Sequence, residues 1–243
     1  MGDLRVAFLG KGGTGKSTLA GTVCRQLGRR GQTVLALDVD TAPGLAISLG
    51  MSASEGRLPP NLAELIEGKR GRYWKMVKGA GPARLVDRFS VPAADGIRFL
   101  ELGKLPDRVE PSVSVAFRSV MERFRRPGWT VVADLAAGTR QPMFGWADFA
   151  AVRVVVVEPS SKSILTARRL LPVATHLVAN KVGSQSELDL ITAALSLPLL
   201  GVIPYDRDVV EAEYQGVAPI DFSVHSRAVQ AAAELASRLE ELA

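Results

Sequence analysis

The chain has 243 residues, of which 47% are hydrophobic and 23% are charged, so it can fill the core of one α/β domain or of two small ones. Aromatic residues make up 6%, which argues against an aromatic surface for stacking bases, and the net charge of +5 is mildly basic. The single cysteine, Cys24, excludes an internal disulfide, and no apolar run approaches the roughly 20 residues that a membrane-spanning helix needs. We therefore expect a cytoplasmic protein with no membrane span.

Apolar segments of strand length recur along the chain. In chain order they are Arg5–Leu9, Thr33–Leu37, Ile97–Leu102, Thr130–Ala133, Val152–Val157, His176–Ala179 and Leu199–Ile203. Helical periodicity separates them and predicts a helix after Gly15 and others over Val113–Phe124, Ser161–Leu171, Ser186–Leu195 and Ser226–Leu242. Continuous apolar runs such as VVVV are typical of strands buried on both faces. The alternation predicts an α/β fold with a doubly wound, mostly parallel sheet and helices on both faces.

The stretch from Ala53 to Ala94 is less regular, with two adjacent prolines and several glycines. We interpret it as a helical insertion or long connection within one domain that spans residues 1–243. It holds a basic stretch around Tyr73 and Trp74, made of Lys69, Arg70, Arg72, Lys75, Lys78 and Arg84. A solvated helix face is the simpler interpretation of this stretch. A docking surface for an acidic partner and a DNA contact are the alternatives.

The segment GKGGTGKSTL, Gly10 to Leu19, contains the phosphate-loop pattern G-x-x-x-x-G-K-[ST]. Its glycines let backbone N–H groups approach phosphate oxygens, Lys16 would reach the β- and γ-phosphates, and the Ser17 hydroxyl would bind Mg²⁺. The predicted nucleotide-binding residues of this loop are Gly10, Lys11, Gly12, Gly13, Thr14, Gly15, Lys16, Ser17 and Thr18. The pattern does not require its second lysine, Lys11.

Acidic residues follow two of the predicted strands. TVVAD, Thr130 to Asp134, is an apolar strand that ends in an acid, so Asp134 is a predicted Mg²⁺ ligand, and Gly138 could offer its N–H to a γ-phosphate. Asp38 and Asp40 end the second strand on the same side, where one could orient the attacking water and the other could support Mg²⁺.

The segment Asn180-Lys181-Val182-Gly183 bears on the choice of base. Guanine specificity often uses N-K-x-D, and Gly183 stands at the position of the aspartate. An asparagine can bond the N6 amine of adenine. ATP is therefore favoured over GTP, with Mg²⁺ as the second cofactor.

The run K-G-G-T-G-K-S-T resembles the deviant Walker A motif of the MinD/ParA group of ATPases. Further stretches are similar to the CooC branch, the accessory ATPases of nickel carbon-monoxide-dehydrogenase maturation: Leu35–Asp40, Val131–Gly138, Val154–Leu170, Ala179–Val182 and Leu200–Gly216. The resemblance implies that Lys11 reaches the partner's ATP across a dimer interface. It further implies that Pro204 and Tyr205 lie against the adenine, that Asn180 recognises it beside Lys181, that Asp40 positions the water, and that Asp38 supports the magnesium site. The implied catalytic residues are Lys11, Lys16 and Asp40.

Two departures from the family pattern bear on function. Thr41 follows Asp40 where the family usually has proline, and the region Leu102–Met121 lacks the C-x-C pair that binds metal in the CooC branch. Cys24 lies on an apolar helix face and is interpreted as core. The expected fold and ATPase activity therefore do not extend to a thiolate nickel site.

The sequence predicts an ATP-binding and hydrolysing switch that dimerises around ATP and acts on a protein partner. One alternative is a ParA-like, DNA-binding positioning or partition ATPase, although nucleic acid is the less favoured partner because a mildly basic net charge is weak evidence for it. The other is a non-hydrolysing, ATP-sensing regulatory module, for which the altered turn after Asp40 is the motive. The last predicted helix mixes arginines with glutamates, so an ordinary packed helix is favoured over a membrane anchor.

Overall fold

The computed structural model describes residues 4–40, 44–52, 56–103 and 110–243. The strands within these ranges are β1 (Arg5–Gly10), β2 (Thr33–Asp38), β3 (Ala63–Gly68), β4 (Gly71–Met76), β5 (Val91–Pro92), β6 (Ile97–Glu101), β7 (Trp129–Asp134), β8 (Val152–Val157), β9 (His176–Val182) and β10 (Leu199–Pro204). The α-helices are α1 (Lys16–Arg29), α2 (Leu45–Ser48), α3 (Pro82–Phe89), α4 (Pro111–Arg123), α5 (Ser161–Leu170), α6 (Gln185–Ala194), α7 (Arg207–Gln215), α8 (Pro219–Phe222) and α9 (Arg227–Glu240). Short helical turns lie at Ala94–Gly96 and Pro142–Trp146.

Among the described residues, eight strands form one sheet in the order β10-β9-β8-β1-β7-β2-β6-β5. Neighbouring strands are parallel except for β5, which runs antiparallel to β6 at one edge. The chain winds from β1 toward β2 on one side and from β8 toward β9 on the other. Ligands bind such sheets at the carboxyl ends of strands where the winding direction reverses, which here is the end of β1. The predicted doubly wound sheet is confirmed, and each of the seven predicted strands is present.

Helices cover both faces of the sheet. Val6 and Phe8 of β1 pack in one apolar layer with residues of α1 and α9, whereas Ala7 and Leu9 pack in the opposite layer with α4, α5 and α6. This alternation follows from the two-residue period of a strand. Burial on both sides holds β1 rigidly, so the loop that follows it starts from a fixed point.

Residues 63–76 form an antiparallel hairpin of β3 and β4, so the predicted helix face is wrong for the basic residues Lys69 to Lys75. Gly68 pairs with Gly71, and the two residues between them form the turn. Two short runs separated by two residues with a flanking glycine are a hairpin signal, which the helical interpretation overlooked. The rest of the segment does contain a helix, α3, which begins at a proline.

Helix α7 was not predicted, although its boundaries are marked in the sequence. Asp206 caps its start by accepting a hydrogen bond from the N–H of Asp208 at 3.0 Å, and Gly216 ends it with a left-handed φ of 68°. The helix forms one wall of the cleft beside the phosphate loop.

A buried arginine on α1 joins four parts of this fold. The Arg25 guanidinium binds both carboxylate oxygens of Asp221 on α8 at 2.7 and 2.8 Å and Asp95 before β6 at 2.5 Å. It also donates to the carbonyl oxygen of Leu49 at the end of α2, at 3.3 Å. The side chain of Arg25 is 4% exposed, so its guanidinium is shielded from water.

Arg25→Met should lower the free energy of unfolding by about 2 to 3 kcal/mol, because it leaves two aspartates without their buried cation. This loss is smaller than the roughly 3 to 5 kcal/mol typical of a broken buried pair, because Asp95 and Asp221 are partly exposed and both also pair with Arg29. Urea denaturation measures the change. Arg227→Met removes an exposed arginine on α9 and should change stability by less than about 0.5 kcal/mol. Equal losses in the two variants would contradict a structural role for Arg25.

Candidate functional site

The loop between β1 and α1 requires glycine at several positions. Gly10, Gly13 and Gly15 have φ angles of 142°, 85° and 82°, which other residues rarely adopt. A Cβ atom at Gly10 would also lie 2.6 Å from the carbonyl oxygen of Val156 on β8. The loop leads directly into α1, whose N-terminus favours an anion because its first backbone N–H groups have no partner within the helix.

The two lysines of the loop occupy different environments. Lys16 is 6% exposed, and its Nζ donates to the carbonyl oxygen of Lys11 at 3.3 Å. The side chain of Lys11 is 32% exposed, and its Nζ donates to the carbonyl oxygen of Gly12 at 2.8 Å. Lys16 therefore points into its own loop, whereas Lys11 lies on the rim, where a second molecule can reach it.

Glu158 is a charged neighbour of this loop that sequence reasoning missed. One of its carboxylate oxygens lies 3.6 Å from Lys11 Nζ, and the other lies 3.8 Å from Lys181 Nζ. It directly follows the apolar run of β8 at the carboxyl edge of the sheet, and this position was the available signal. Glu158 thus holds Lys11 at the rim through a weak, partly solvated ion pair.

The end of β9 fastens the phosphate loop from the other side. Asn180 Nδ2 donates to the carbonyl oxygen of Thr14 at 2.7 Å, and Lys181 Nζ donates to that of Gly13, also at 2.7 Å. A side chain at Gly15 would collide with Asn180, because its Cβ would lie 2.5 Å from Nδ2. These bonds fix the shape of the loop.

A cleft that is open to solvent adjoins the loop at this point. It brings together the predicted residues Gly15, Thr18, Asn180, Lys181, Pro204 and Tyr205. Much of its remaining wall is apolar and comes from α7, α8 and α9, including Val209, Pro219 and Val229. An apolar cleft with a few polar groups is typical of a small-molecule site, and its apolar walls suit a flat base.

Two predicted carboxylates lie side by side at the carboxyl edge. Asp38 of β2 is in register with Asp134 of β7, and both are almost completely buried. Burial, together with the charge of Asp134, raises the pKa of Asp38 to about 8. Burial raises the pKa of Asp134 to about 6, although Lys16 and a hydrogen bond from Ser17 act in the opposite direction. This edge therefore favours a bound cation.

Asp134 has the geometry of a cation ligand. Its Oδ1 is buried and has no hydrogen-bond partner in the part of the chain that the structure describes. Asp38 differs, because its two oxygens accept the N–H groups of Asp40 at 3.0 Å and Leu45 at 3.2 Å. Asp38 thereby binds the backbone on both sides of residues 41–43, at Asp40 and at Leu45. The predicted change of the turn at Thr41 lies outside the described residues.

The loop after β7 is linked to its neighbours by backbone and amide contacts. The N–H of Gly138 donates to the carbonyl oxygen of Gly10 at 2.9 Å. Gln141, which sequence reasoning missed, accepts the N–H of Ala136 at 2.9 Å and donates to the carbonyl oxygen of Val39 at 3.0 Å. Gln141 therefore ties the loop after β7 to the end of β2.

The model of the CobQ/CobB/MinD/ParA nucleotide-binding domain matches residues 6–220. The chain belongs to this family. The match covers the phosphate loop, the two strand-end carboxylates, Asn180 and the part of the cleft wall that α7 forms. A nucleotide-binding domain with a phosphate loop at its centre is therefore established, as the sequence predicted.

Relatives of this nucleotide-binding domain match over most of their length. An ATP-binding protein of Methanocaldococcus jannaschii is 28% identical over 88% of this chain and 90% of its own. The carbon monoxide dehydrogenase accessory protein CooC of Rhodospirillum rubrum is also 28% identical, over 90% of each chain. The structure of the septum site-determining protein MinD of Pyrococcus horikoshii, complexed with Mg-ADP, superposes with a TM-score of 0.72 at 18% identity, covering 99% of this chain and 97% of that one. The last similarity shows the fold.

Two further features of this nucleotide-binding domain concern metals and membranes. Cys24 is completely buried on α1, and burial raises the pKa of its thiol well above the ordinary value, so it is a neutral core side chain. Within residues 4–40, 44–52, 56–103 and 110–243, no group of three or more His, Cys, Asp or Glu side chains is arranged to hold a metal ion. The helices in these same ranges are too short or too polar to cross a membrane.

Asp134→Asn should stabilise the domain at pH 8 in EDTA without nucleotide. Because the pKa of Asp134 is raised in the folded state, its ionisation costs folding free energy, and wild-type stability falls as the pH rises from about 4 through about 6. The asparagine variant avoids this cost and should unfold about 3 °C or more above the wild type at pH 8, with a smaller gap at pH 5. Adding Mg²⁺ and ATP should reverse the order. A variant that unfolds at a lower temperature than the wild type in EDTA at pH 8 would refute the inference that ionised Asp134 destabilises the fold.

Proposed function

We propose that this protein is an ATP-hydrolysing switch that dimerises around ATP and Mg²⁺ and acts on a protein partner. The observation that carries the proposal is the placement of Lys11 at the rim of the phosphate loop, while Lys16 fills the loop itself. One lysine already serves the phosphates of its own ATP. The exposed lysine is available to the ATP of a second subunit, which would make nucleotide and dimer depend on each other.

Different residues of one subunit would bind the phosphates, the metal and the base. The loop N–H groups and Lys16 would hold the β- and γ-phosphates, and Ser17 and Asp134 would hold the metal at the buried edge. Mg²⁺ neutralises the charge on the phosphate oxygens when it is bound. Asn180, Pro204 and Tyr205 line the cleft where the base would lie. Asn180 already donates one N–H to the loop, so its side chain couples the base position to the phosphate position.

Asp40 is the residue we assign to the attacking water. Its backbone N–H bonds to Asp38, which fixes the start of the loop that carries it beside the metal site. A carboxylate there can orient water toward the γ-phosphorus and accept its proton as the bond to the β,γ-bridging oxygen breaks. Lys11 from the second subunit would stabilise the charge on that bridging oxygen.

Lys11 must leave its ion pair with Glu158 in order to contact the ATP of a second subunit, so the strength of this pair opposes dimerisation. A partly solvated pair at 3.6 Å contributes at most about 1 kcal/mol. The phosphates of a second ATP carry several negative charges, and a dimer interface would shield them from water, so they would attract Lys11 more strongly than one carboxylate does. Lys11 can therefore stay with Glu158 in the monomer and transfer to ATP in the dimer.

Lys11→Ala should abolish ATP-driven dimerisation while leaving ATP binding by the monomer within about threefold of wild type. Light scattering after size exclusion gives the mass with Mg²⁺ and either ADP or a non-hydrolysable ATP analogue. The wild type should double its mass only with the ATP analogue. Lys78→Ala removes another exposed lysine and should dimerise normally. Dimerisation of Lys11→Ala at wild-type protein and nucleotide concentrations would contradict the proposal.

Asp40→Asn should lower the rate of ATP hydrolysis by about 100-fold or more, because the amide cannot accept the proton of the attacking water. Dimerisation with ATP should persist or last longer, since the phosphate contacts remain. Phosphate release and dimer mass are measured on the same samples. A wild type with no turnover above the Lys16→Ala background would instead favour an ATP sensor that does not hydrolyse.

A further inference from the structure

The β3–β4 hairpin carries a cationic surface that the nucleotide site does not use. Lys69, Arg70, Arg72 and Lys75 of the hairpin and Lys78 just after it are all exposed, and none forms an ion pair with any described residue. Glu64 and Glu67 are the acidic residues of the two strands, and they lie directly opposite Lys75 and Arg72 without bonding to them. Five cations therefore face solvent against two anions.

The hairpin also exposes apolar side chains. Tyr73 is 53% exposed, Leu65 45% and Trp74 38%. Leu65 and Trp74 are paired across the two strands, so both project from the same face of the hairpin. β3 and β4 pair only with each other among the described strands, so each keeps one open edge. Exposed aromatic residues beside arginines are enriched at protein interfaces.

A cleft of about 410 Å³ separates this hairpin from α4. Its apolar floor is formed by Trp74, Met76 and Val115, and the cations at its rim are Lys75, Arg118 and Arg123. The acid that lines it, Glu122, already pairs with Arg118 at 2.6 Å. The cleft is large enough for one or two apolar side chains, and its rim attracts carboxylates.

Arg118 connects this cleft to the nucleotide site. It donates to the carbonyl oxygens of Phe144 at 3.3 Å and Gly145 at 3.4 Å, and it lies over the ring of Trp146 at 5.8 Å. The turn Pro142–Trp146 directly follows Gln141, which bridges the loops after β2 and β7. Any change in these loops when the γ-phosphate is lost therefore has a route to the rim of the cleft.

We propose that the cleft between the β3–β4 hairpin and α4 is the docking site for the protein partner, and that it binds an acidic peptide segment with an aromatic or aliphatic anchor. The inference rests on the proposed switch and supplies the chemistry of its partner. The anchor packs on Trp74 and Met76, and its neighbouring carboxylates pair with Lys75 and Arg123. A nucleic acid fits less well, because Glu64 and Glu67 interrupt the cations and the floor is apolar.

The test begins with the wild-type chain, Mg²⁺ and a non-hydrolysable ATP analogue, against a random 12-residue peptide library displayed on phage. Enriched peptides should be acidic and contain Phe, Trp or Leu. Their synthetic, fluorescein-labelled forms should bind the wild type in an anisotropy assay, and raising salt from 50 to 500 mM should weaken binding severalfold. Enrichment of neutral or basic peptides, or of none above background, overturns the proposal.

Charge-reversal variants locate the binding site. Lys75→Glu and Arg123→Glu should each weaken the enriched peptide at least tenfold, whereas Arg227→Glu should have little effect, because it changes the net charge equally at the start of α9 on the opposite face of the sheet. Trp74→Ala tests the apolar floor and should also weaken binding. Each variant is first checked for wild-type thermal unfolding and for ATP-driven dimerisation, which it should retain. Equal affinity for Lys75→Glu, Arg123→Glu and wild type overturns the proposal.

The same assays distinguish the acidic peptide from two other occupants of the cleft, a nucleic acid and a second copy of this chain. A 20-base-pair DNA duplex that competes with the peptide and binds more tightly would replace the protein partner by nucleic acid. A mass that doubles without nucleotide and returns to the monomer in Lys75→Glu would make a second copy the occupant. If the peptide binds wild type but ATP never drives dimerisation, the docking site stands and the proposed switch fails.

Discussion

The phosphate loop is held in place by three neighbouring strands, and the rest of the site depends on this support. The carbonyl oxygen of Val156 on β8 allows only glycine at position 10. The N–H of Gly138, after β7, donates to the carbonyl oxygen of Gly10. Asn180 and Lys181 at the end of β9 bond to loop carbonyl oxygens from the other side. A loop shaped before the ligand arrives loses little entropy on binding, so phosphate contacts translate into affinity.

The fixed loop contrasts with contacts that are easily exchanged. Lys11 is held at the rim by a partly solvated ion pair with Glu158 and a hydrogen bond to the carbonyl oxygen of Gly12, and Asp38 holds the flanks of residues 41–43 by two backbone bonds. Gln141 joins the loops after β2 and β7, and Arg118 continues this chain of contacts to the cleft beside the hairpin. A rigid phosphate site surrounded by weak, replaceable contacts is the arrangement that a ligand-controlled switch needs.

The sequence predicted the parts of this molecule that follow from local patterns. The buried strands appear as apolar runs such as VVVV, and the loop appears as a fixed spacing of Gly, Lys and Ser, so the sheet and the family could be inferred directly. The hairpin was missed because GRYWKM lacks a clean alternation of apolar and polar residues, and its basic character was interpreted as a helix face. Glu158, Gln141 and Arg25 were missed because each has a partner on a distant segment. No pattern along the chain indicates which carbonyl or carboxylate will face them.

The central claim is that Lys11 acts on the ATP of a second subunit, and mixing two inactive variants tests it most directly. Lys11→Ala keeps its ATP site but lacks the donated lysine, and Lys16→Ala keeps Lys11 but should not hold ATP. In a mixed dimer, Lys11 of the Lys16→Ala subunit can reach the ATP that the Lys11→Ala subunit holds. If Lys11 acts across the interface, the mixture hydrolyses ATP well above the sum of the two variants measured separately. A mixture no more active than that sum would show that Lys11 does not act across the interface.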